Sequence, residues 1–231
     1  QFSIMKDNAC IYIDTTGPGL HKRGYRPVSA AAPLRETLAA AIVKLARYRG
    51  REALWDPFCG SGTIPVEAAM IALNRAPGLK RDFDCCHWKT LPAGLINKAE
   101  QEARDKEFRN EYYIFGGDID PECVDISREN AKRAGVDQYI NFKVKDARSA
   151  KAPGPGGVIV TNPPYGERVR ERGQAQELYR QFGTAAAKLD DWKMFILSSH
   201  TEFERSFGKM ADKKRKLYNG MIKCDLFMYL K

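Results

Sequence analysis

The stretch that decides the fold is residues 53–63, Ala-Leu-Trp-Asp-Pro-Phe-Cys-Gly-Ser-Gly-Thr. Its first four residues predict a strand, and a helix is predicted to start at its last residue. Between them, Gly60 and Gly62 let the backbone turn sharply and leave room for a ligand against the main chain. Pro65 stands at the third glycine position of a dinucleotide fingerprint, and no Gly-Lys-Ser/Thr of a P-loop follows. The segment therefore predicts a strand, a loop and a helix with a ligand site of another kind at the strand end.

Beyond this unit, strand-like and helix-like segments alternate along the chain. The predicted strands are residues 53–56, 112–118, 140–144, 157–161 and 193–198. The predicted helices are residues 34–47, 63–74, 121–134 and 175–188. Residues 215–230 predict an antiparallel hairpin that turns at Asn219-Gly220. Repeated parallel strand–helix–strand units that end in a hairpin predict an α/β fold with a mostly parallel, doubly wound sheet.

The domain organisation follows from where this alternation begins. Residues 29–231 are predicted to form the main domain. Residues 1–28 are predicted to precede it as a strand, at residues 9–14, and a basic linker segment. Residues 75–111 do not fit a minimal fold of this kind, and we expect them to form a surface insertion with a charged helix near residues 92–109. The chain begins with Gln rather than Met, which favours a fragment of a longer protein.

Composition limits the classes of function. The 231 residues carry a net charge of +9, which favours polyanionic partners such as nucleic acid. No apolar run is long enough for a membrane span, and the first residues do not resemble a signal peptide. The six cysteines have no paired spacing, so we expect neither disulfides nor a metal site, and a reducing cytoplasm fits best.

Acidic residues follow three of the predicted strands. Asp56 could orient the ammonium of an amino acid tail, whose carboxylate the loop N–H groups could hold. Asp118 or Asp120 could accept hydrogen bonds from ribose hydroxyls, although Asp120 precedes Pro121 and could equally be a helix N-cap. Asp146 could accept from an adenine amino group. Together they predict a nucleoside-like ligand with an amino acid tail.

The segment that points to the chemistry is residues 161–166, Thr-Asn-Pro-Pro-Tyr-Gly, at the end of a buried strand. Two prolines after an asparagine impose a rigid extended turn, which aims the Asn162 amide oxygen and the Pro163 carbonyl at one point. Two acceptors at one point suit an exocyclic base amine, whose conjugated lone pair makes it a poor nucleophile. Tyr165 offers a ring on which a base could stack. The alternative is an ordinary proline-rich turn.

These motifs resemble those of the class I amino methyltransferases, which have a Rossmann-like fold. Within that class the chain is most similar to the RlmL-like enzymes, which are 23S rRNA guanine-N2 methyltransferases often labelled N6-adenine-specific DNA methylases. The segments that carry this narrower resemblance are residues 20–26, 32–40 and 162–168. Members of that family usually carry an N-terminal THUMP RNA-binding domain, which is not found in this sequence.

The resemblance implies S-adenosylmethionine as the cofactor and RNA, 23S rRNA in particular, as the partner. The predicted cofactor-binding residues are Pro33, Arg35, Thr37, Asp56, Phe58, Gly60, Gly62, Thr63, Asp118, Asp120, Asp146, Ala147 and Asn162. The predicted catalytic residues are Asn162, Pro163, Pro164 and Tyr165. The predicted mechanism is in-line methyl transfer to a flipped base, with no metal and no covalent enzyme intermediate.

Basic clusters are the candidate RNA contacts, although each could be no more than solvated surface. The residues chosen from them are Arg23, Arg26, Arg168, Arg170, Lys213 and Lys214. Two alternatives to a guanine-N2 methyltransferase stay open at this stage. One is an N6-adenine methyltransferase that acts on DNA or RNA, because adenine N6 and guanine N2 are both exocyclic amines on planar rings. The other is a non-catalytic RNA-binding module on the same scaffold.

Overall fold

The structure is a computed structural model that describes residues 1–26, 34–149, 151–166 and 169–230. Its strands are β1 (Phe2–Met5), β2 (Asn8–Ile11), β3 (Ala53–Asp56), β4 (Ile114–Asp118), β5 (Ile140–Val144), β6 (Gly157–Thr161), β7 (Trp192–Ser198), β8 (Lys213–Asn219) and β9 (Ile222–Tyr229). Its α-helices are α1 (Glu36–Leu45), α2 (Thr63–Ala72), α3 (Leu95–Asp105), α4 (Pro121–Ala134), α5 (Val169–Ala186) and α6 (Phe203–Phe207). Short 3₁₀ helices span Asp84–His87 and Asp137–Tyr139.

Seven strands form one sheet in the order β5-β4-β3-β6-β7-β9-β8. Strands β3 to β7 run parallel, whereas β9 is antiparallel to β7 and β8 is antiparallel to β9. The chain winds from β3 outward to β5 and then returns to β6 on the other side of β3. The strand order therefore reverses between β3 and β6, and a crevice at such a point is where ligands bind in sheets of this type.

Helices cover both faces of the sheet, as a doubly wound fold requires. On one face α1, α2 and α4 bury Ile42, Val66 and Val124. On the other face α5 and α6 bury Phe182 and Phe203. The predicted fold class, a mostly parallel doubly wound sheet with a C-terminal antiparallel hairpin, is confirmed.

Two predicted elements differ at the N-terminus and in the last helical segment. The expected single strand at residues 9–14 is instead one arm of the β1–β2 hairpin, which is exposed along its length and does not join the main sheet. Its tight turn has positive φ at Lys6 and Asp7, a conformation that is uncommon for residues other than glycine and that the sequence did not predict. Helix α5 begins at Val169 rather than near residue 175. The prediction was late because residues 169–174 are mostly charged and show no apolar periodicity.

The terminal hairpin turns one residue later than expected. Asn219 pairs with Ile222 as the last residue of β8, so the turn consists of Gly220 and Met221. Gly220 has φ 64°, which glycine adopts without strain. The short helix α6 was not predicted, since five residues are too few to show a helical period.

The segment before α1 packs onto the domain at its end. Tyr25 is 2% exposed and lies in the same core cluster as α1 and α2. Residues 75–111 contain α3, which has no buried residue and thus lies on the surface. Across the described ranges, no helix is long and apolar enough to cross a membrane.

Candidate active site

The glycine loop joins β3 to α2 at the reversal of the strand order. The N–H of Phe58 donates to Asp56 Oδ1 at 3.1 Å, and the N–H of Gly60 donates to Asp118 Oδ2 at 2.9 Å. Gly62 has φ 78°, and a Cβ there would lie 2.7 Å from the Cβ of Ser127. The loop is therefore held against β4 and α4, and position 62 requires glycine because of both its positive φ and the close approach of Ser127.

Asp56 is enclosed at the end of β3 and is 1% exposed. Its Oδ1 also accepts a 2.6 Å hydrogen bond from the Thr161 hydroxyl, at the end of β6. Burial raises the pKa of the Asp56 carboxyl to about 7, although the bonds from Thr161 and Phe58 act in the opposite direction. Asp56 thus joins the glycine loop to the strand that carries Asn162, an arrangement that the sequence did not predict.

The two aspartates after β4 have different surroundings. Asp118 is half-buried and accepts from Gly60 N–H in the glycine loop and from its own neighbour Asp120 N–H at 3.0 Å. Asp120 is exposed, and its Oδ1 accepts from Glu122 N–H at 2.9 Å as the N-cap of α4. The structure therefore places Asp118 beside the loop and Asp120 at the start of its own helix.

Asp146 follows β5 and is paired with Arg148. The carboxylate accepts from Arg148 Nε and Nη2, the shorter contact being 2.6 Å, and from the Arg148 backbone N–H at 2.9 Å. The hydrogen bonds from Arg148 hold the pKa of Asp146 below its usual value. Ala147 is buried in the second core cluster. The predicted acceptor for an adenine amine is thus an ionised carboxylate that already has a bidentate partner.

The Asn-Pro-Pro-Tyr segment, residues 162–165, follows β6 and is fixed from two sides. The Tyr165 hydroxyl donates to Asn162 Oδ1 and accepts from Cys224 Sγ of β9 at 3.6 Å. From α5, the Tyr179 hydroxyl donates to the Pro164 carbonyl at 2.5 Å. Burial raises the pKa of Tyr179 to about 12, so this hydroxyl stays a donor at neutral pH.

Exposure within that segment refines the predicted roles. Pro163 is buried, Pro164 is exposed, and Asn162 is half-buried at the edge of the sheet. Tyr165 was expected to offer its ring to a base, but it is half-buried, packs against the main core and bends back onto Asn162. Its hydroxyl therefore orients the amide, a role that the spacing alone did not suggest.

Of the other predicted cofactor residues, Phe58 lies in the glycine loop and Thr63 directly follows it. Phe58 packs edge-to-face on Phe182 with ring centroids 5.1 Å apart. Thr63, the first residue of α2, is buried. Arg35 and Thr37 are exposed at the start of α1, and Pro33 lies outside the described residues.

The first two candidate RNA contacts lie in buried ion pairs. Arg26 contacts Glu36 at 3.3 Å, and the two side chains are 7% and 5% exposed. Arg26 also donates to the Thr63 hydroxyl at 3.0 Å. Arg23 contacts Glu67 at 3.4 Å, and Tyr25 donates to the same carboxylate at 3.1 Å. The side chains of Arg23 and Arg26 are both largely buried, so neither is available to contact RNA.

The remaining candidate RNA contacts are in different situations. Lys213 is exposed on β8, whereas Lys214 pairs with Glu204 at 2.7 Å. Arg168 and the side chain of Arg170 lie outside the described residues. Where the structure describes side chains, no group of three or more His, Cys, Asp or Glu residues is arranged to hold a metal ion.

Sequence reasoning missed the residues that support the site rather than line it. Thr161, Tyr179 and Glu67 each place a polar group inside the core. Tyr179 stands on the apolar face of α5, where its only signal was that a buried tyrosine hydroxyl usually has a partner. The identity of each partner required the three-dimensional arrangement.

A glycine loop after β3, an acid after β4 and Asn-Pro-Pro-Tyr after β6, on a sheet of this order, define a class I Rossmann-like methyltransferase. Residues 23–227 match the family model of the RMKL-like methyltransferase domain. The chain belongs to this family, and the resemblance predicted from the motifs is confirmed.

Three relatives illustrate this membership. The chain is 44% identical over 230 residues to "Putative RNA methyltransferase YpsC" of Bacillus subtilis, a match that covers 99% of this chain and 60% of that protein. It is 42% identical to the "Ribosomal RNA large subunit methyltransferase K/L" of Vibrio campbellii, over 96% of this chain and 32% of that protein. The structure of SMU.472, "a putative methyltransferase complexed with SAH", matches with a TM-score of 0.91 at 41% identity, over 99% of this chain and 60% of that one. This chain thus spans only part of each relative's length.

Proposed function

We propose that this chain binds S-adenosylmethionine and transfers its methyl group to an exocyclic base amine in RNA, with guanine N2 of large-subunit rRNA as the substrate. The observation that carries the proposal is the placement of the Asn-Pro-Pro-Tyr segment beside the glycine loop, joined to it through the bond between Thr161 and Asp56. The names of YpsC and of the K/L methyltransferase support an RNA substrate, and the SAH complex of SMU.472 supports the cofactor.

The cofactor would lie across the carboxyl ends of β3, β4 and β5. Asp118 is the residue we assign to the ribose hydroxyls, because it is half-buried beside the glycine loop and each carboxylate oxygen can accept a second hydrogen bond. The N–H groups at the start of α2 suit the carboxylate of the methionine tail. Asp146 suits the adenine amine, which would have to share it with Arg148 or displace that side chain.

Bound S-adenosylmethionine supplies a methyl group on a reactive sulfonium, so the chain's own task is to position the amine. Asn162 Oδ1 accepts from Tyr165 and retains a lone pair for one amine hydrogen. The Pro163 carbonyl is the second acceptor of the proposed pair. These bonds develop the amine lone pair toward the methyl group and fix the in-line geometry, while the proton leaves to water after transfer.

The test is methyl transfer from labelled S-adenosylmethionine to unmodified large-subunit rRNA, followed by nucleoside analysis of the product. We expect N2-methylguanosine. N6-methyladenosine would contradict the guanine assignment and identify an adenine-N6 enzyme with the same amine geometry. A chain that does not bind S-adenosylmethionine at all would favour a non-catalytic RNA-binding module.

Asn162→Ala separates chemistry from cofactor binding in that assay. Because the variant loses the acceptor for the amine, we expect kcat to fall by about 100-fold or more, comparable with the removal of one donor from an oxyanion hole. The dissociation constant for S-adenosylmethionine, measured by calorimetry, should change little. A parallel loss of cofactor affinity would instead assign Asn162 to the cofactor pocket.

A further inference from the structure

The β8–β9 hairpin ends at the same edge of the sheet as the Asn-Pro-Pro-Tyr segment. Strand β9 is antiparallel to β7, and Ser198 at the end of β7 pairs with Asp225 near the start of β9. The turn at Gly220 and Met221 therefore lies on the active-site side. Cys224 of β9 contacts the Tyr165 hydroxyl at 3.6 Å, which joins the hairpin directly to the catalytic segment.

One face of this hairpin presents an aromatic ring between two cations. Tyr218 is 62% exposed and pairs directly with exposed Lys223. Lys216, two residues earlier on β8, is also exposed and lies opposite Asp225 in the register of the two strands. Residues that face each other in an antiparallel pair, and residues two apart on one strand, point to the same side of the sheet. Tyr218, Lys216 and Lys223 thus share one solvent-facing surface, which we call the Tyr218 platform.

The same face continues inward to the catalytic segment. Ser198, opposite Asp225, lies 3.4 Å from the Tyr179 hydroxyl, which donates to the Pro164 carbonyl. The sheet face that carries the Tyr218 platform at its exposed end therefore leads inward to the buried contacts that hold the Asn-Pro-Pro-Tyr segment in place.

An edge strand rich in lysine also protects a sheet from pairing with other chains, and that accounts for part of the charge on β8. It does not account for a tyrosine ring exposed to solvent between Lys216 and Lys223. Lys214, by contrast, is already paired with Glu204 and is not part of the platform. An exposed aromatic face beside lysines is the arrangement by which proteins bind single-stranded RNA, through base stacking and phosphate contacts.

We propose that Tyr218 stacks on an unpaired base next to the target nucleotide and that Lys216 and Lys223 contact the adjoining phosphates. The inference rests on the proposed function, because it assumes an RNA substrate at the Asn-Pro-Pro-Tyr segment. Strand β8 lies three strands from β6 in the sheet, about 14 Å at the usual spacing. That distance is too long for the target base itself and suits a flanking nucleotide of the same strand.

The experiment compares Tyr218→Ala and Tyr218→Phe with Tyr113→Ala as the matched control. Tyr113 is also 62% exposed, but it precedes β4 at the opposite edge of the sheet. The measurements are the dissociation constant for an rRNA fragment that the wild-type chain methylates, kcat and KM for that RNA, and the affinity for S-adenosylmethionine. Tyr218→Ala should weaken RNA binding and raise KM by about tenfold, as expected for one lost stacking contact, and leave cofactor affinity unchanged. Tyr218→Phe keeps the ring, and Tyr113→Ala lies elsewhere, so both should resemble wild type.

The lysines are tested through the salt dependence of the same binding reaction. Replacing Lys216 and Lys223 by alanine removes two phosphate contacts, each worth about 0.7 in the slope of log K against log salt for a single strand. We therefore expect the slope to flatten by about 1.4. An unchanged slope, or an RNA affinity of Tyr218→Ala equal to that of Tyr113→Ala, overturns the inference while active wild type leaves the proposed function standing. A wild-type chain that binds S-adenosylmethionine but methylates no RNA overturns both.

Discussion

At the scale of single residues, position along a strand decides what each aspartate can do. Asp118 is the last residue of β4 and reaches the glycine loop, whereas Asp120, two residues later, accepts from the first turn of α4. The sequence placed both at the right strand end. The sequence could not assign different roles to them, because both are aspartates and either suits a ribose contact. The structure separates them, since only Asp120 has the backbone conformation of an N-cap.

Alanine substitutions at the two positions should therefore have opposite profiles. Asp118→Ala should weaken S-adenosylmethionine binding by about tenfold or more, since a hydrogen bond to a charged group is worth about 1.5–3 kcal/mol. Asp120→Ala should lower the free energy of unfolding by about 1 kcal/mol through the lost cap and leave cofactor affinity nearly unchanged. Calorimetry and urea denaturation separate the two effects. A large loss of cofactor affinity in Asp120→Ala would return Asp120 to the pocket.

Side-chain pairing is the part of the site that the sequence could not predict. Asp146 and Arg148 are two residues apart, yet their bidentate contact depends on the turn after β5. The basic cluster predicts Arg26 as an RNA contact, because charged residues are usually exposed. Its burial against Glu36 appears only when α1 packs beside α2. Motif spacing thus located the site, whereas the partners of its charged groups came from packing.

At the scale of elements, the catalytic segment depends on α5. Tyr179 lies on the buried face of that helix, and its hydroxyl holds the Pro164 carbonyl. The sequence predicted α5 as a helix but not its contact with the segment, and it placed the helix start about six residues late. A period of 3.6 residues identifies the packed half of a helix, whereas its charged first turns leave no such signal.

Tyr179→Phe tests this support. The variant keeps the ring contact with Phe203, at 4.9 Å between centroids, and removes only the hydroxyl. We expect the free energy of unfolding to fall by about 1 kcal/mol, the usual contribution of one hydrogen bond. The value of kcat should fall by about tenfold because a small displacement of the segment misaligns the amine. Cofactor affinity should stay at the wild-type value, and an unchanged kcat would show that the prolines alone fix the segment.

At the scale of the whole molecule, buried ion pairs attach the segment before α1 to the catalytic domain. Arg23 and Tyr25 converge on Glu67 of α2, and Arg26 joins Glu36 of α1 to the first residue of α2. Burial raises the pKa of Glu67 to about 7, although Arg23 opposes that shift. The sequence predicts a basic linker here, but Arg23 and Arg26 are directed inward. They connect the N-terminal part of the chain to the helix that follows the glycine loop.

A double-mutant cycle on Arg26 and Glu36 measures that connection. Arg26→Met leaves the Glu36 carboxylate buried without its cation, and removing one member of a buried pair costs about 3–5 kcal/mol of unfolding free energy. Adding Glu36→Gln to Arg26→Met removes the stranded charge, so the double variant should be more stable than Arg26→Met alone. Because Arg26 also donates to Thr63 at the start of α2, Arg26→Met should weaken S-adenosylmethionine binding as well.

The control for this cycle is Arg205→Met, which breaks the exposed pair with Glu202 and should change stability by less than about 0.5 kcal/mol. Urea denaturation of the four proteins of the cycle gives the coupling energy directly. Strict additivity of the two single effects would show that Arg26 and Glu36 act independently. In that case the segment before α1 is held by the packing of Tyr25 and the contacts of Glu67 rather than by the pair of Arg26 and Glu36. Positive coupling together with weaker cofactor binding would show that the same ion pair supports both the attachment of that segment and the glycine loop.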